Sequence, residues 1–556
     1  MTTAFQLADY LVDEFCALDP IIATHLGVAG SDDRWGDSFG LAGLEAERDL
    51  RERYVSRLGP FTESADPRER LAARVMVGSM VEARRSYEHG DHFRDLRHLA
   101  SPFHSIRSVF DVMKTATTEE RDHVVARLET IAQPLRDYFS LLQTGISAGV
   151  VVAQRQVRSV IRQARRMSDD TASIDAIVDK LEASGLGSGR LSAAAATARA
   201  GIGEFADWLE TGYLPHAVEE DAVGRDTYIR AADRLVGLEI DPDEAYQWGW
   251  DEFHRLQAEM QNVGDEILPG QGVESVKHHL ETDPEVTAAG TDALILFVEQ
   301  TLARAVADLA GSHFEVPHLI RPLTVQLAPP GSPLGAYYVG PSEDFSRPGG
   351  VWYSIGDQEI FPLYQHVSTA YHEGFPGHHL QIATAMSRSE EISRFQRVLT
   401  WYPGYGEGWA MYAEVLMGEL GYLDDPTHYF GMLAKQMYRA ARVIVDIGLH
   451  LGKDIPLSAP IAPGEKWSFE RAVEMMRVYG FRTEDQASDE VLRYLGWPGQ
   501  AIAYKLGERE ILSIRDDTKT RLGSAFDLKE FHSTVLNHGA MRLDLLREVV
   551  ADRLGS

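Results

Sequence analysis

The pattern of apolar and polar positions along the chain predicts a protein built mainly from helices. Apolar residues recur at three- and four-residue spacing, with capping or helix-breaking residues between the periodic stretches. Asp241 followed by Pro242 is one such start, because aspartate caps a helix and proline fits its first position. The predicted helices cover residues 5–18, 43–58, 66–90, 118–144, 151–167, 172–184, 190–209, 242–266, 408–420, 426–450, 468–480, 486–495, 498–522, 527–537 and 540–553.

Residues 313–357 carry a different pattern. β-Branched and aromatic residues are separated there by proline and glycine turns, which is typical of short strands. The predicted strands are 314–317, 323–327, 335–339 and 351–354. Because the chain exceeds one typical core, we predict two parts. Residues 1–310 form a helical N-terminal half, and residues 311–556 hold this sheet and a helical C-terminal region.

The most informative stretch follows the predicted sheet. Residues 372–381 read His-Glu-Gly-Phe-Pro-Gly-His-His-Leu-Gln, which is similar to the zinc-peptidase motif HExxH with two extra residues. In HExxH the two histidines share one helical face and reach one zinc ion, while the glutamate acts as general base. In an unbroken helix, His378 would lie about 120° away from the face of His372. His379 would return to that face about 10.5 Å further along the axis.

Pro376 offers a way to bring the histidines together. It cannot donate a helical hydrogen bond and crowds the preceding turn, while Gly374 and Gly377 beside it permit unusual dihedral angles. We therefore predict a kink or bulge that absorbs two residues and lets His378 act as the second ligand. His379 is the alternative ligand, and it is otherwise expected next to the site.

Glu407 is predicted to be the third metal ligand. It lies at the start of a predicted helix, after a glycine-punctuated turn. Two histidines, one glutamate and a water form a known catalytic zinc site. Zinc in such a site lowers the pKa of its water to about 7 and polarises a carbonyl. The predicted cofactor is one zinc ion held by His372, His378 and Glu407, with Glu373 as general base. Glu414, two helical turns on, is the alternative ligand or a carboxylate behind the ligands.

Two motifs carry a resemblance to a known family. The signatures HExxPGHHxQ and EGWAxYxE at residues 372–381 and 407–414 resemble those of the bacterial domain of unknown function 885 family. Further matching blocks are 336–338, 347–349, 493–494, 498–501 and 504–505. That family is in turn similar to distant gluzincin peptidases of the carboxypeptidase Taq and neurolysin-like groups. Their GHxxQ pattern aligns with residues 377–381, which also favours His378.

The resemblance implies a fold and an activity. It implies a mainly α, gluzincin-like metallopeptidase, with a small β-sheet next to the zinc helix and a deep channel between two helical halves. It also implies hydrolysis of short peptides, as a carboxypeptidase or dipeptidase. An edge strand before the zinc helix would pair with the substrate backbone, and an ordinary packed strand is the alternative. The residues of that strand are Gly335, Ala336, Tyr337 and Tyr338.

The developing oxyanion needs a hydrogen-bond donor from another part of the chain. Tyr504 is the preferred candidate, although a tyrosine at such a position also commonly serves in packing. Arg493, Tyr494 and His538 are the alternatives. Arg493 could also bind a terminal carboxylate with two hydrogen bonds.

Composition limits the partners and suggests a compartment. The net charge of −30, from 54 basic and 84 acidic residues, argues against nucleic-acid and anionic-membrane partners. The expected partner, implied by the family resemblance, is a short peptide or peptide-like substrate. Cys16 is the only cysteine, and no basic and apolar leader or membrane-length apolar run is evident in the sequence. These features favour a cytoplasmic location.

Three other functions are compatible with the same residues. Two histidines and a carboxylate also form the iron site of non-haem oxygenases, although such enzymes have no need for Glu373. A catalytically inactive metal-binding pseudopeptidase would close the site with a fourth protein ligand, His379 or Glu414. Hydrolysis of non-peptide amides is the third.

Overall fold

The computed structural model describes residues 2–169, 174–328 and 335–555, and most of them are helical. The chain forms two compact units. The first consists of residues 1–222, 393–399 and 495–497, and the second of residues 223–392, 400–494 and 498–556. Residues 223–310, placed in the N-terminal half on sequence grounds, belong to the second unit. The mainly helical fold with small sheets is confirmed.

Ten consecutive helices lie in the described residues of the first unit. They are α1 Ala4–Leu18, α2 Pro20–Leu26, α3 Leu41–Leu58, α4 Pro67–Glu88, α5 Pro102–Val112, α6 Thr118–Thr130, α7 Ala132–Ser147, α8 Gln154–Asp169, α9 Ile174–Ala183 and α10 Gly189–Trp208. The single helix predicted at 118–144 is wrong, because α6 and α7 are separate. Pro134 explains the break, since it cannot donate to the carbonyl of Thr130 and its ring crowds that position.

Most of the other helices lie in the second unit, whereas α17 Arg394–Val398 lies in the first. Those of the second unit are α11 Arg225–Ala232, α12 Pro242–Ile267, α13 Val273–Thr282, α14 Thr291–Leu309, α15 Tyr364–Glu373, α16 His378–Ser387, α18 Pro403–Glu419, α19 Pro426–His450, α20 Phe469–Val478, α21 Glu484–Gly496, α22 Ala503–Leu522, α23 Leu528–Leu536 and α24 Leu543–Leu554. Helix α19 is central, because it packs against α12 and α15 and is almost wholly buried from Phe430 onward. Asp425 caps it and Pro426 opens it, the same device that starts α12.

Two small sheets stand before the predicted zinc motif. Strands β1 Thr287–Ala289 and β5 Ile360–Pro362, neither of them predicted, pair antiparallel. Strands β2 Leu323–Leu327, β3 Gly335–Val339 and β4 Gly349–Ser354 form a sheet in the order β2–β4–β3. β4 runs parallel to β2 and antiparallel to β3, so β3 is an edge strand.

The strand predicted at 314–317 is wrong. Phe314 forms only a single bridge with Ala310, and Pro317 directly precedes a 3-10 turn at His318–Ile320. Proline lacks the N–H that a strand interior requires, so the segment does not extend the sheet. The other three strands of the predicted sheet are confirmed.

Candidate metal centre

The motif at 372–381 is divided between two helices. Helix α15 ends directly after the first histidine and its glutamate, and α16 begins at the second histidine. Between them lies a cis peptide bond at Phe375–Pro376. The N–H of Gly374 donates to the Ala370 carbonyl at 2.8 Å, and that of Gly377 to the Tyr371 carbonyl at 3.0 Å. The last bond spans six residues, so the turn takes up the two additional residues of the motif.

Neighbouring atoms lie so close to both glycines of this turn that a side chain would not fit at either position. A Cβ atom at Gly377 would lie 2.0 Å from the carbonyl oxygen of His372. One at Gly374 would lie 2.5 Å from a methyl carbon of Leu302 and 2.7 Å from the Ala370 carbonyl oxygen. Any larger residue would force the turn open, because backbone oxygens at these distances cannot move aside independently of the helix. The two glycines therefore hold the two histidines at their present separation.

The structure brings the three predicted ligands together. Ligand atoms of His372, His378 and Glu407 all lie within 4.8 Å of one another. Oε2 of Glu407 is 3.3 Å from Nε2 of His372 and 3.4 Å from Nε2 of His378. Zinc bonds of about 2.0–2.1 Å in tetrahedral geometry separate neighbouring ligand atoms by about 3.3–3.4 Å. The two distances from Glu407 to the histidines are therefore those expected around one zinc ion.

Glu414 lies behind this cluster and orients one of its members. Its Oε1 is 2.7 Å from Nδ1 of His372, and its other oxygen accepts a hydrogen bond from Ser368. Glu414 is 1% exposed, and the guanidinium of Arg439 lies 3.7 Å from the same Oε1. The carboxylate accepts the Nδ1 proton of His372, so Nε2 is the nitrogen that faces the centre and would bind a metal ion. Glu414 thus supports a ligand from behind.

The local charges favour a cation at the centre. Burial alone would lower the pKa of His372, but Glu407 and Glu414 raise it to about 9. Burial alone would raise the pKa of Glu407, but His372 and His378 hold it well below its usual range. The two carboxylates therefore stabilise positive charge among these side chains, which is what a divalent ion would supply.

His379 lies beside the cluster and has other partners. Its Nε2 donates to the carbonyl of Ile320 at 2.7 Å, and its Nδ1 accepts from the hydroxyl of Tyr338 at 3.0 Å. Burial lowers its pKa to about 4, so the ring is neutral. With both nitrogens engaged, His379 connects α16 to strand β3.

Glu407 is the fifth residue of helix α18, and two contacts fix that helix. The indole Nε1 of Trp409 donates to the carbonyl of Pro376 at 2.9 Å, which ties α18 to the turn between the histidines. At Gly408, an added Cβ would lie 2.6 Å from the carbonyl carbon of Gly507. Helices α18 and α22 therefore meet backbone to backbone, and this brings the start of α22 toward the metal ligands.

The predicted general base is next to the first ligand. The side chain of Glu373 is partly exposed. Burial raises its pKa, while the neighbouring rings of His372 and His378 act in the opposite direction. A carboxylate with a raised pKa is a better proton acceptor, and this suits a group that takes a proton and later releases it.

Tyr504 and Arg493 are placed together. Burial and the negative charge of Glu407 raise the pKa of Tyr504, so the phenol keeps its proton. Arg493 donates to the Tyr504 hydroxyl at 3.3 Å and to Oε1 of Gln500 at 2.6 Å. It also pairs with Glu490 at 3.4 Å. Arg493 therefore positions the phenol.

The two other donor candidates have their own partners. The hydroxyl of Tyr494 donates to Glu490 at 2.7 Å and receives a hydrogen bond from Arg442. His538 lies in the turn after α23, and its Nδ1 is 2.7 Å from the carbonyl of Thr534 in that helix.

Comparison with known proteins places the chain in a family. The model for bacterial proteins of unknown function known as DUF885 matches residues 20–550. The chain belongs to the DUF885 family. No curated protein matches this DUF885 chain in sequence.

Two similar solved structures show the same fold. The structure from Colwellia psychrerythraea has a TM-score of 0.83 and 24% identity, and the match covers 100% of both chains. The structure from Shewanella oneidensis, of unknown function, has a TM-score of 0.73 and 16% identity, over 99% of this chain and 100% of that chain. Each is described as a "putative lipoprotein".

These descriptions correct the cytoplasmic prediction, because lipoproteins are held at a membrane by attached lipid. Cys16 is buried, and as the lone cysteine it forms no internal disulfide in any compartment. It therefore could not distinguish the cytoplasm from other locations. None of the helices in the described ranges of this DUF885 protein has the length and apolar character needed to cross a membrane.

One group of side chains near the site was missed on sequence grounds. Lys435, Arg439 and Arg442 lie on one face of the buried helix α19. Their spacing of four and three residues in an otherwise apolar helix was the available signal. Polar residues on a helix that is buried all round are unusual and commonly serve a site.

Proposed function

We propose that this DUF885 protein is a single-zinc hydrolase that cleaves peptide bonds in short peptides. The observation that carries the proposal is the close grouping of donor atoms from His372, His378 and Glu407, with Glu373 next to the first histidine. The carboxylate of Glu414 behind His372 adds the outer partner that histidine ligands of zinc usually have. The gluzincin-like architecture stays a prediction that rests on motif similarity alone.

The chain's own residues supply the proton transfers. When bound, zinc would supply a Lewis acid that activates water and polarises a carbonyl. Glu373 accepts a proton from the attacking water and hands it to the leaving amine. Tyr504 keeps its proton and donates a hydrogen bond to the carbonyl oxygen as negative charge develops there. Arg493 holds that phenol in place.

Strand β3 is proposed to bind the substrate backbone. It is an edge strand, so one side of its backbone is free of pairing within its own sheet. Tyr338 on this strand contacts His379, which is adjacent to the ligand His378 in sequence. A peptide that adds to the edge at Gly335–Tyr338 would thus lie close to the centre.

The rival functions are less well supported. A closed structural site needs a fourth protein ligand, but His379 and Glu414 are committed to other partners. An iron oxygenase leaves Glu373 without a role. The lipoprotein descriptions of the two similar structures favour a location outside the cytoplasm for this chain.

Metal depletion and restoration test the proposal. Protein stripped with a chelator is expected to leave a mixture of short peptides intact, and added zinc is expected to restore cleavage, read by mass spectrometry. In a parallel experiment, the stripped protein is given Fe(II) and oxygen, and oxidation of the substrate is measured. Peptide cleavage that is unaffected by zinc removal, or substrate oxidation that requires iron and oxygen, would contradict the proposal.

A further inference from the structure

We propose that Lys435, Arg439 and Arg482 form a subsite for a substrate carboxylate, namely the free α-carboxylate at the C-terminus of a short peptide. The proposal rests on the proposed function of the metal centre and names the substrate class. It predicts that cleavage occurs near the C-terminal end.

The cations come from one face of α19 and from the segment after α20. Lys435, Tyr438, Arg439 and Arg442 occupy positions i, i+3, i+4 and i+7 of α19, so their side chains share a face. The guanidinium of Arg482 stacks on the ring of Tyr438 at 4.1 Å. The phenol thus holds this arginine next to the α19 cations.

Two of the neighbouring arginines already share an ion-pair partner. Arg442 pairs with Glu490 at 3.0 Å, and Arg493 pairs with the same carboxylate at 3.4 Å. Arg493 also donates to Gln500 and Tyr504. We therefore assign the carboxylate-binding role predicted for Arg493 to Lys435, Arg439 and Arg482 instead.

The other three cations leave positive charge in excess. Within residues 2–169, 174–328 and 335–555, neither Lys435 nor Arg482 forms an ion pair. Arg439 is 9% exposed and its Nε atom is without a hydrogen-bond partner. Its ion-pair partner, Glu414 at 3.7 Å, is shared with His372, and the charge of Arg439 also acts on Glu373. A buried cation without full compensation is costly, so a ligand anion would be stabilised here.

The behaviour of Lys435 agrees with this imbalance. Burial, followed by the positive charges of Arg482 and Arg439, lowers its pKa to about 7. An anion between the three groups would offset that repulsion. Arginine forks match the two oxygens of a carboxylate, which favours this anion.

The position of the cluster indicates which carboxylate it binds. Arg439 contacts Glu414, and Glu414 contacts the ligand His372, so the cluster lies one side chain from the metal centre. Lys435 and Arg482 are partly exposed, so a ligand can reach them. A carboxylate one residue beyond the scissile bond is therefore the expected occupant.

Binding to an inactive protein tests the subsite separately from hydrolysis. The zinc-loaded Glu373→Gln variant is titrated in a calorimeter with alanyl-alanyl-phenylalanine, with its C-terminal amide, and with alanyl-alanyl-glutamate amide. The free acid is expected to bind about 10- to 100-fold more tightly than the phenylalanine amide, which is the usual contribution of charged hydrogen bonds. Adding Arg482→Gln to the Glu373→Gln protein is expected to bring the ratio of acid to amide affinity close to one. Arg482→Lys in the same background is expected to keep part of the preference for the acid.

Two further variants control for folding and location. Arg477→Gln removes an exposed arginine of the same region, which pairs with Glu484 at 3.6 Å, and it is expected to leave the ratio unchanged. If Arg482→Gln lowers the thermal unfolding midpoint, Lys435→Gln replaces it as the test. Lys435→Gln alone is also expected to reduce the preference for the free acid over the amide.

Each outcome decides the proposal. Equal binding of acid and amide, or a ratio that survives both Arg482→Gln and Lys435→Gln, would overturn the subsite. Tight binding of the glutamate amide that is lost in Arg482→Gln would assign the subsite to acidic side chains, which overturns the α-carboxylate. If the acid is preferred but the parent protein cleaves no peptide, the subsite stands and the proposed hydrolysis fails.

Discussion

Replacing Glu373 by glutamine is expected to lower kcat for peptide hydrolysis by about 10²–10⁴-fold, while zinc content stays at the level of the parent protein. Glutamine has the same shape but cannot take a proton from the attacking water, so the general-base contribution is lost. Glu373 is not among the three clustered ligands, so metal binding should survive. Single-turnover rates on one peptide, together with metal analysis of the same samples, measure both quantities.

A matched substitution separates this effect from a general loss of charge. Glu390 is an exposed carboxylate beyond α16, and Glu390→Gln is expected to leave kcat unchanged. If Glu373→Gln hydrolysed peptides as fast as the parent, then Glu373 would not be the base. The proposed mechanism would then be wrong even if zinc were present.

Loss of His378 is expected to remove the metal, whereas loss of its neighbour His379 should not. His378→Ala deletes a donor atom 3.4 Å from the carboxylate of Glu407, so the site would keep only two ligands. Zinc content should fall close to zero, and activity should fall with it. Metal analysis after gel filtration of both alanine variants gives the comparison.

His379→Ala is the control for this pair, and its effect should be on stability. It leaves the carbonyl of Ile320 and the hydroxyl of Tyr338 without their partner. Two buried polar groups without partners each cost about 1–3 kcal/mol in the free energy of unfolding. Urea unfolding measures this loss. If His379→Ala lost the metal while His378→Ala kept it, the ligand assignment would be reversed.

The predicted turn between the two histidines could be read from sequence because its cause is local. A proline in a helix interior removes a hydrogen bond and crowds the preceding turn, and the spacing of His372 and His378 then needs a break. The sequence could not show why glycine is needed at 377. That reason is the approach of the His372 carbonyl to the turn, which exists only once the chain has folded back.

The cation group on α19 shows what local patterns leave out. A lysine or arginine every three or four residues usually marks a solvated helix face. Here the same spacing lies on a helix buried against α12 and α15, and burial is decided by elements far away in the chain. The choice between Arg493 and Arg482 for a carboxylate likewise depends on which one already holds Glu490.

Two details of the fold were not predicted from the sequence. Strands β1 and β5 are three residues each, too short for an alternating pattern to be visible, and they gain their pairing from each other across the chain. The separation of α6 from α7 could have been predicted, because Pro134 marks it.

Anomalous diffraction at the zinc absorption edge tests the central claim most directly. Crystals grown after zinc loading should show one strong anomalous peak within bonding distance of Nε2 of His372, Nε2 of His378 and a carboxylate oxygen of Glu407. Glu414 should remain hydrogen-bonded to Nδ1 of His372, outside the coordination sphere. A peak bonded to His379 or Glu414, or no peak at this position, would contradict the account.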